Sequence, residues 1–407
     1  MSISIRRPLL VTVITGVLYL LVLVSKQWLG FPELYQDENH YLPTALLFGK
    51  EAIPSLELLK TYNQLNTPLP FILGGWVIRI FGEEIQYLRL MNFILSFFML
   101  LLLIWYKPVT EARRWLSMVL LLAMPSFYLC AIHYYTDMIA WAAVLLGVMA
   151  YLNKRHLAGC IFFIAAISSR QYMLAFPLAI VLFEFAEALK AGRSVKELVN
   201  YLLKDRVWIY YSVSIASLVP WILLWGGLAP AEIMKIQHYG TAPFYNVGFV
   251  VYASACVAFY FVIPETLIFK KWSYFTRYPR AYPRLFSGLL VLVIVLVVLF
   301  PARQAYNEYF TWPFLGYVDQ LFETLGITGW FKQGIFGGLM LATLMRFIQP
   351  GSISLGSAFV LVNILLLGKA QLSWDKYTFP TLMILWFLAM HREDRAVRLQ
   401  EEEQAGI

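Results

Sequence analysis

Asp37, Glu38 and His40 fall within four residues of one another, just after the first long apolar run. Further knots of polar residues adjoin later apolar runs: His133, Tyr134, Tyr135 and Asp137; Arg170 and Gln171; Arg303, Asn307 and Glu308; and Lys369, Gln371, Asp375 and Lys376. A carboxylate within reach of a hydroxyl can take its proton. Cations nearby suit a substrate with a phosphate leaving group, which departs without protonation. One carboxylate then suffices, whereas a glycosidase needs a carboxyl pair. The set therefore suits transfer of a sugar from a lipid-phosphate carrier, whose sugar lies at the membrane surface. Composition alone equally allows transport of such a lipid. Asp37, His40, His133 and Asp137 are also sensible metal ligands, but the cations already supply the charge, so no metal or other cofactor is expected.

The elements that must position these residues lie in a membrane. Of 407 residues, 60% are apolar and only 14% are charged, about half the charge of an ordinary soluble domain. That excludes a soluble protein, a disordered chain and a disulfide scaffold. The apolar residues come in long runs rather than alternating, which disfavours a β-barrel. The net charge of +8 reads as basic loops flanking membrane spans, not as nucleic-acid binding. Cys130, Cys160 and Cys256 lie in or beside apolar runs and are expected as free thiols. Arg6 and Arg7 precede an apolar run with no small-residue cleavage site, so the run reads as an uncleaved first span.

Thirteen apolar runs are candidates, and 68–82 is the odd one. It opens Pro68-Leu69-Pro70, contains Gly74 and Gly75, and carries Arg79. At 1.5 Å per residue it reaches about 22 Å, short of a ~30 Å hydrocarbon core. If it does not cross, 21 of the 32 Lys and Arg fall in loops on the side of residues 1–7 and 11 on the other. If it crosses, nearly all of them change sides. The positive-inside rule therefore predicts an all-α polytopic protein of about twelve transmembrane helices, with both termini cytoplasmic. Residues 26–85 become one large outer loop carrying amphipathic helices at 38–48 and 54–62 and a non-spanning dipping segment at 68–82. Residues 190–206 read as a cytoplasmic interfacial helix, and 391–407 as a cytoplasmic tail. Without a clear internal repeat, a transporter of two similar halves is disfavoured.

Each polar residue also has a local explanation. Asp37 and Glu38 suit a helix N-terminus. His40, three residues beyond Asp37, suits a structural partner on the same face. Asp137 after Thr136 suits a helix cap. Arg89 suits an interfacial position or a pair with Glu83 or Glu84, and Asp375 with Lys376 suits a surface pair.

Six stretches in order resemble the GT-C glycosyltransferases: Asp37-Glu38 with His40 and Pro43, Thr67-Pro68-Leu69-Pro70, Leu88-Arg89 with Asn92, Tyr134-Tyr135-Thr136-Asp137, Arg170-Gln171, and Asp375 with Tyr377-Thr378-Phe379. More closely, the chain resembles the dolichyl-phosphate-glucose-dependent α-1,2-glucosyltransferases, which add the terminal glucose to the lipid-linked N-glycan precursor. The likeness covers about residues 35–180 and the last span. It departs at His40, one residue nearer the acidic pair than in the family, at Asp137, where the family commonly has Glu, and at Pro380. Residues 190–350 show no match. The resemblance implies a GT-C-like bundle transferring glucose or another hexose, with inversion, from a polyprenyl-phosphate-sugar donor to a glycolipid or glycan acceptor. The alternative is a transporter or flippase of lipid-linked sugars. It implies Asp37 as general base, with Glu38 orienting it or meeting the acceptor. Arg170, Lys376 and Arg303 would hold the donor phosphate. His40, His133, Tyr135, Asp137, Gln171 and Asp375 would contact sugar or acceptor. Membrane lipids are the surroundings. A prokaryotic cell membrane is the favoured location, or the endoplasmic reticulum in a eukaryote.

Overall fold

The computed structural model describes residues 2–25, 33–106, 118–119, 121–122, 124–190, 206–236, 245–269, 272–300, 321–322, 324–327, 329–351, 353–370 and 374–391. Among them the chain is all-helical, without a strand. The 190–206 helix and the 391–407 tail fall almost wholly outside the described residues, as does Arg303.

Four helical stretches are long and apolar enough to cross a membrane: Ile85–Trp105, Gln171–Lys190, Val207–Trp225 and Val247–Ile268. Two bent pairs raise the number to six if each is one span. This is a multi-pass membrane architecture. Two of the twelve expected spans emerge as short helices, His156–Ile167 and Leu355–Leu367, and the segment expected not to cross forms the short helix Leu69–Phe81. Apolar runs are longer than the helices they form because turn residues within them are apolar too.

The chain divides into two compact units. The first comprises Met1–Ala123, Phe127–Pro177 and Asp205–Gly240. Its elements begin with α1 (Ser2–Ser25), α2 (Glu38–Gly49), α3 (Leu56–Thr61), α4 (Leu69–Phe81) and α5 (Ile85–Trp105). Next come α6 (Pro125–Ile132, entering the unit at Phe127), α7 (Asp137–Leu152) and α8 (His156–Ile167). A 3₁₀ turn follows at Gln171–Leu174.

Helix α4 starts with prolines at its first turn, where their missing N–H groups cost nothing. It lies directly on α2. A Cβ at Gly75 would stand 2.7 Å from the Phe48 carbonyl carbon and 2.8 Å from the Gly49 nitrogen, and one at Gly74 would strike the Tyr134 hydroxyl. Small residues let helix backbones approach. Here the obstruction at Gly75 is backbone, which cannot swing aside. Gly75→Ala should therefore lower stability by about 1–3 kcal/mol, and Gly75→Val should abolish the folded protein. Thermal melting in detergent measures this, with Gly288→Ala, where nothing lies within 4 Å, as the unaffected control.

The α6–α7 pair bends by 114° over the His133–Thr136 turn. Asn92, on α5, holds that turn by donating to the carbonyls of Cys130 (3.3 Å), His133 (2.8 Å) and Tyr135 (2.9 Å). Residues 66–69 are pinned to the end of α8: the Thr67 hydroxyl donates to the Ile167 carbonyl (2.7 Å) and the Leu69 N–H to that of Ser168 (3.0 Å).

The second unit comprises Met124–Ser126, Leu178–Lys204 and Thr241–Ile407. A largely buried element runs from Val247 to Ile268, with a π-helical turn at Ala258–Val262. Glu265 in this element accepts both the Nε (2.8 Å) and an Nη (3.0 Å) of Arg346, and the pair is buried. Arg346 lies in the last turn of the Gly329–Phe347 helix.

Candidate functional site

The first unit brings most of the predicted residues together around the start of α2. Gln36, just ahead of Asp37, has φ 44°, an uncommon conformation for a non-glycine residue. Strain of this kind is held only where surroundings dictate it, and here the Gln36 side-chain carbonyl accepts the Tyr135 hydroxyl at 3.1 Å. The twist sends Asp37 and Glu38 to opposite environments.

Glu38 is fully buried. Its Oε1 accepts from Arg89 Nε (2.9 Å) and the Tyr134 N–H (2.8 Å), and its Oε2 from an Arg89 Nη (2.5 Å) and the Tyr35 N–H (2.8 Å). The same Arg89 nitrogen reaches the Glu33 carbonyl at 2.8 Å. The partner of Arg89 is thus Glu38, not Glu83 or Glu84. Burial pushes the Glu38 carboxyl up, but Arg89, His133 and the two backbone N–H groups outweigh burial and hold it at about 2. His133 stacks on Tyr35 with ring centroids 4.4 Å apart, its Nδ1 3.5 Å from Glu38.

Asp37 is half-buried. Its backbone carbonyl takes the first helical N–H groups, yet its side chain makes no capping bond. The Tyr41 hydroxyl, one turn on, donates to Asp37 Oδ2 at 3.4 Å. That hydroxyl also accepts from Arg170 Nη2 (3.4 Å) and Asn66 Nδ2 (3.4 Å). Arg170 is buried and extended in backbone. Its guanidinium pairs with Asp137 Oδ2 and donates to Asn66 Oδ1. Asp137 Oδ1 accepts the Tyr172 hydroxyl at 3.2 Å, and Asn66 also donates to Thr136 Oγ1 at 3.2 Å. A continuous polar chain thus runs Asp37–Tyr41–Arg170–Asp137.

The remaining predicted residues sit differently. His40 is exposed on α2. Gln171 spends its amide on the carbonyls of Leu65 (2.6 Å) and Leu228 (3.0 Å). Asp375 and Lys376 belong to the second unit and are buried, not a surface pair. Asp375 Oδ2 accepts the hydroxyl of Tyr260 (3.2 Å) from the π-helical turn, and Lys376 Nζ lies 3.7 Å from the centre of the Trp374 ring. Among the described residues no three His, Cys, Asp or Glu side chains group as a metal site. Sequence reasoning missed Tyr41 and the Glu265–Arg346 pair. Each carried a signal: Tyr41 is four residues from Asp37 on one helix face, and Glu265 is an acid inside an apolar run.

Chemically, the site offers one half-buried carboxylate beside a hydroxyl, backed by a rigid buried charge network. No family model, no curated protein and no solved structure matches the chain.

Proposed function

We propose that this protein is an integral-membrane glycosyltransferase that moves a hexose from a polyprenyl-phosphate donor to a glycolipid or glycan acceptor. In this reading the chain crosses twelve times, both termini are cytoplasmic, and residues 26–85 face outward in a prokaryotic cell membrane. One observation carries it. Of two adjacent acids, Glu38 is fully committed to Arg89 and backbone N–H groups, while Asp37 keeps a half-buried carboxylate that makes no capping bond. A fully buried, fixed acid beside a half-buried one is an arrangement that gives a general base a rigid support. Asp37 takes the acceptor hydroxyl proton as the acceptor oxygen attacks the sugar's anomeric carbon. The bond to phosphate breaks, and the lipid phosphate leaves as an anion. The test is to supply polyprenyl-phosphate-hexoses to the protein in liposomes and measure acceptor-dependent release of polyprenyl phosphate. No release with any hexose overturns the proposal.

Arg170 works in this reading through Tyr41, because its guanidinium is engaged on Asp137 and Asn66. Tyr41→Phe should lower kcat by about fivefold to tenfold, the worth of one lost hydrogen bond, with donor KM unchanged. Arg170→Gln should act mainly on kcat as well. A rise in donor KM alone would instead assign Arg170 to the donor phosphate.

A further inference from the structure

In the second unit, helix Trp272–Ala281 meets helix Pro283–Leu299 at an elbow of 105°. One side of the short helix is bound to the protein. The Tyr278 hydroxyl donates to the Ile348 carbonyl at 2.6 Å and the Tyr274 hydroxyl to that of Met345, while Gln349 Nε2 reaches the Tyr274 oxygen at 3.4 Å. Tyr274 and Tyr278, four apart, thus define the inner face. Ser273, Thr276, Arg277 and Arg280 follow the i, i+3, i+4, i+7 spacing of a single stripe, and all are exposed. Trp272 is exposed at the start of the helix, and Tyr282 and Arg284 are exposed at the bend. Between residues 270 and 284 the sequence has five Lys and Arg, five aromatic residues and no acid. Lys270 and Lys271 lie outside the described residues.

We propose that this elbow is a binding surface for anionic phospholipid headgroups. A membrane-crossing helix runs roughly along the bilayer normal, so a helix bent 105° from it lies near the membrane plane. The bend puts a row of guanidinium groups at headgroup level, where charge-assisted, bidentate contacts to phosphate form. Trp272 and Tyr282 are the residue types that seat in the headgroup zone. The charge-sided topology places residues 270–284 in a cytoplasmic loop, beside the leaflet whose anionic lipids attract such segments. The segment itself contributes no acid to compete with lipid phosphate. Its placement at the cytoplasmic leaflet rests on the twelve-span topology of the proposed function.

The experiment uses the full chain in nanodiscs of phosphatidylcholine with a minority of phosphatidylglycerol. The protein is gently released into detergent, and the retained lipids are identified by mass spectrometry. The wild type should retain phosphatidylglycerol well above its share of the disc, and a high-salt wash should strip it. Arg277→Gln with Arg280→Gln should lose most of that enrichment, at about fivefold per arginine near such a surface. The matching Lys pair should keep most of it. Both arginines are exposed, and the salt wash on the wild type reads the same property should the variants misfold. Wild-type retention without preference for phosphatidylglycerol, or enrichment unchanged by salt and by the Gln pair, overturns the proposal.

Discussion

Asp37→Asn should reduce turnover about 10²- to 10⁴-fold, the typical contribution of a positioned base. The amide keeps the shape of the side chain and still accepts the Tyr41 hydroxyl, which donates at 3.4 Å, so the polar chain to Arg170 should stay in place. Donor binding and melting temperature should be close to wild type. The measurement is polyprenyl-phosphate release at saturating donor, alongside binding of the donor without acceptor. Near wild-type release from the Asp37→Asn variant would remove Asp37 from the mechanism.

Glu38→Gln should fail for a different reason. It leaves the Arg89 guanidinium buried with its carboxylate partner gone, and breaking one member of a buried ion pair costs about 3–5 kcal/mol. Much of the first unit should loosen with it, because Glu38 ties together α2, α5 and the turn after α6. Arg89→Met alone should be as damaging, since it strands a carboxylate. The double variant Glu38→Gln, Arg89→Met should be less destabilised than the two losses added together, and melting curves of the four proteins give the coupling. The acid dependence follows the same geometry. The folded-state carboxyl sits near 2 against an ordinary value of 4.5. Its stabilisation, about 3 kcal/mol, is therefore complete above pH 4.5 and is lost as pH falls from there toward 2. Stability over that interval should be flatter in Glu38→Gln than in the wild type.

Which acid would be which was not legible in the sequence. Asp37 and Glu38 are neighbours, and both suit a helix start. What separates them is the left-handed Gln36 and an arginine 51 residues away, neither of which local pattern reveals. The same holds for the pairing of Arg170 with Asp137, 33 residues apart. By contrast, the helical membrane class followed directly from the length of the apolar runs. So did the helix within 68–82, because Pro68 and Pro70 suit a helix start and Gly82 (φ 116°) stops it. Span number was harder to read. The run at 353–368 yields the 13-residue helix Leu355–Leu367, and hydropathy does not separate an apolar turn from an apolar helix end.

The bond between Glu38 and Arg89 also works as a height gauge. Helix α5 has 21 residues, about 31 Å at 1.5 Å per residue, which matches a ~30 Å hydrocarbon core. Arg89 is the fifth residue of that helix, Glu38 is clamped to it, and Asp37 is the next residue along. The height of the Asp37 carboxylate along α5 is thus set by this ion pair rather than by the loop that carries it. In a thicker or thinner bilayer α5 answers by changing its tilt, and the carboxylate rides with the end of the helix. On the function proposed above, the substrate's phosphate is fixed at the bilayer surface, so protein and substrate would be levelled by the same slab of hydrocarbon.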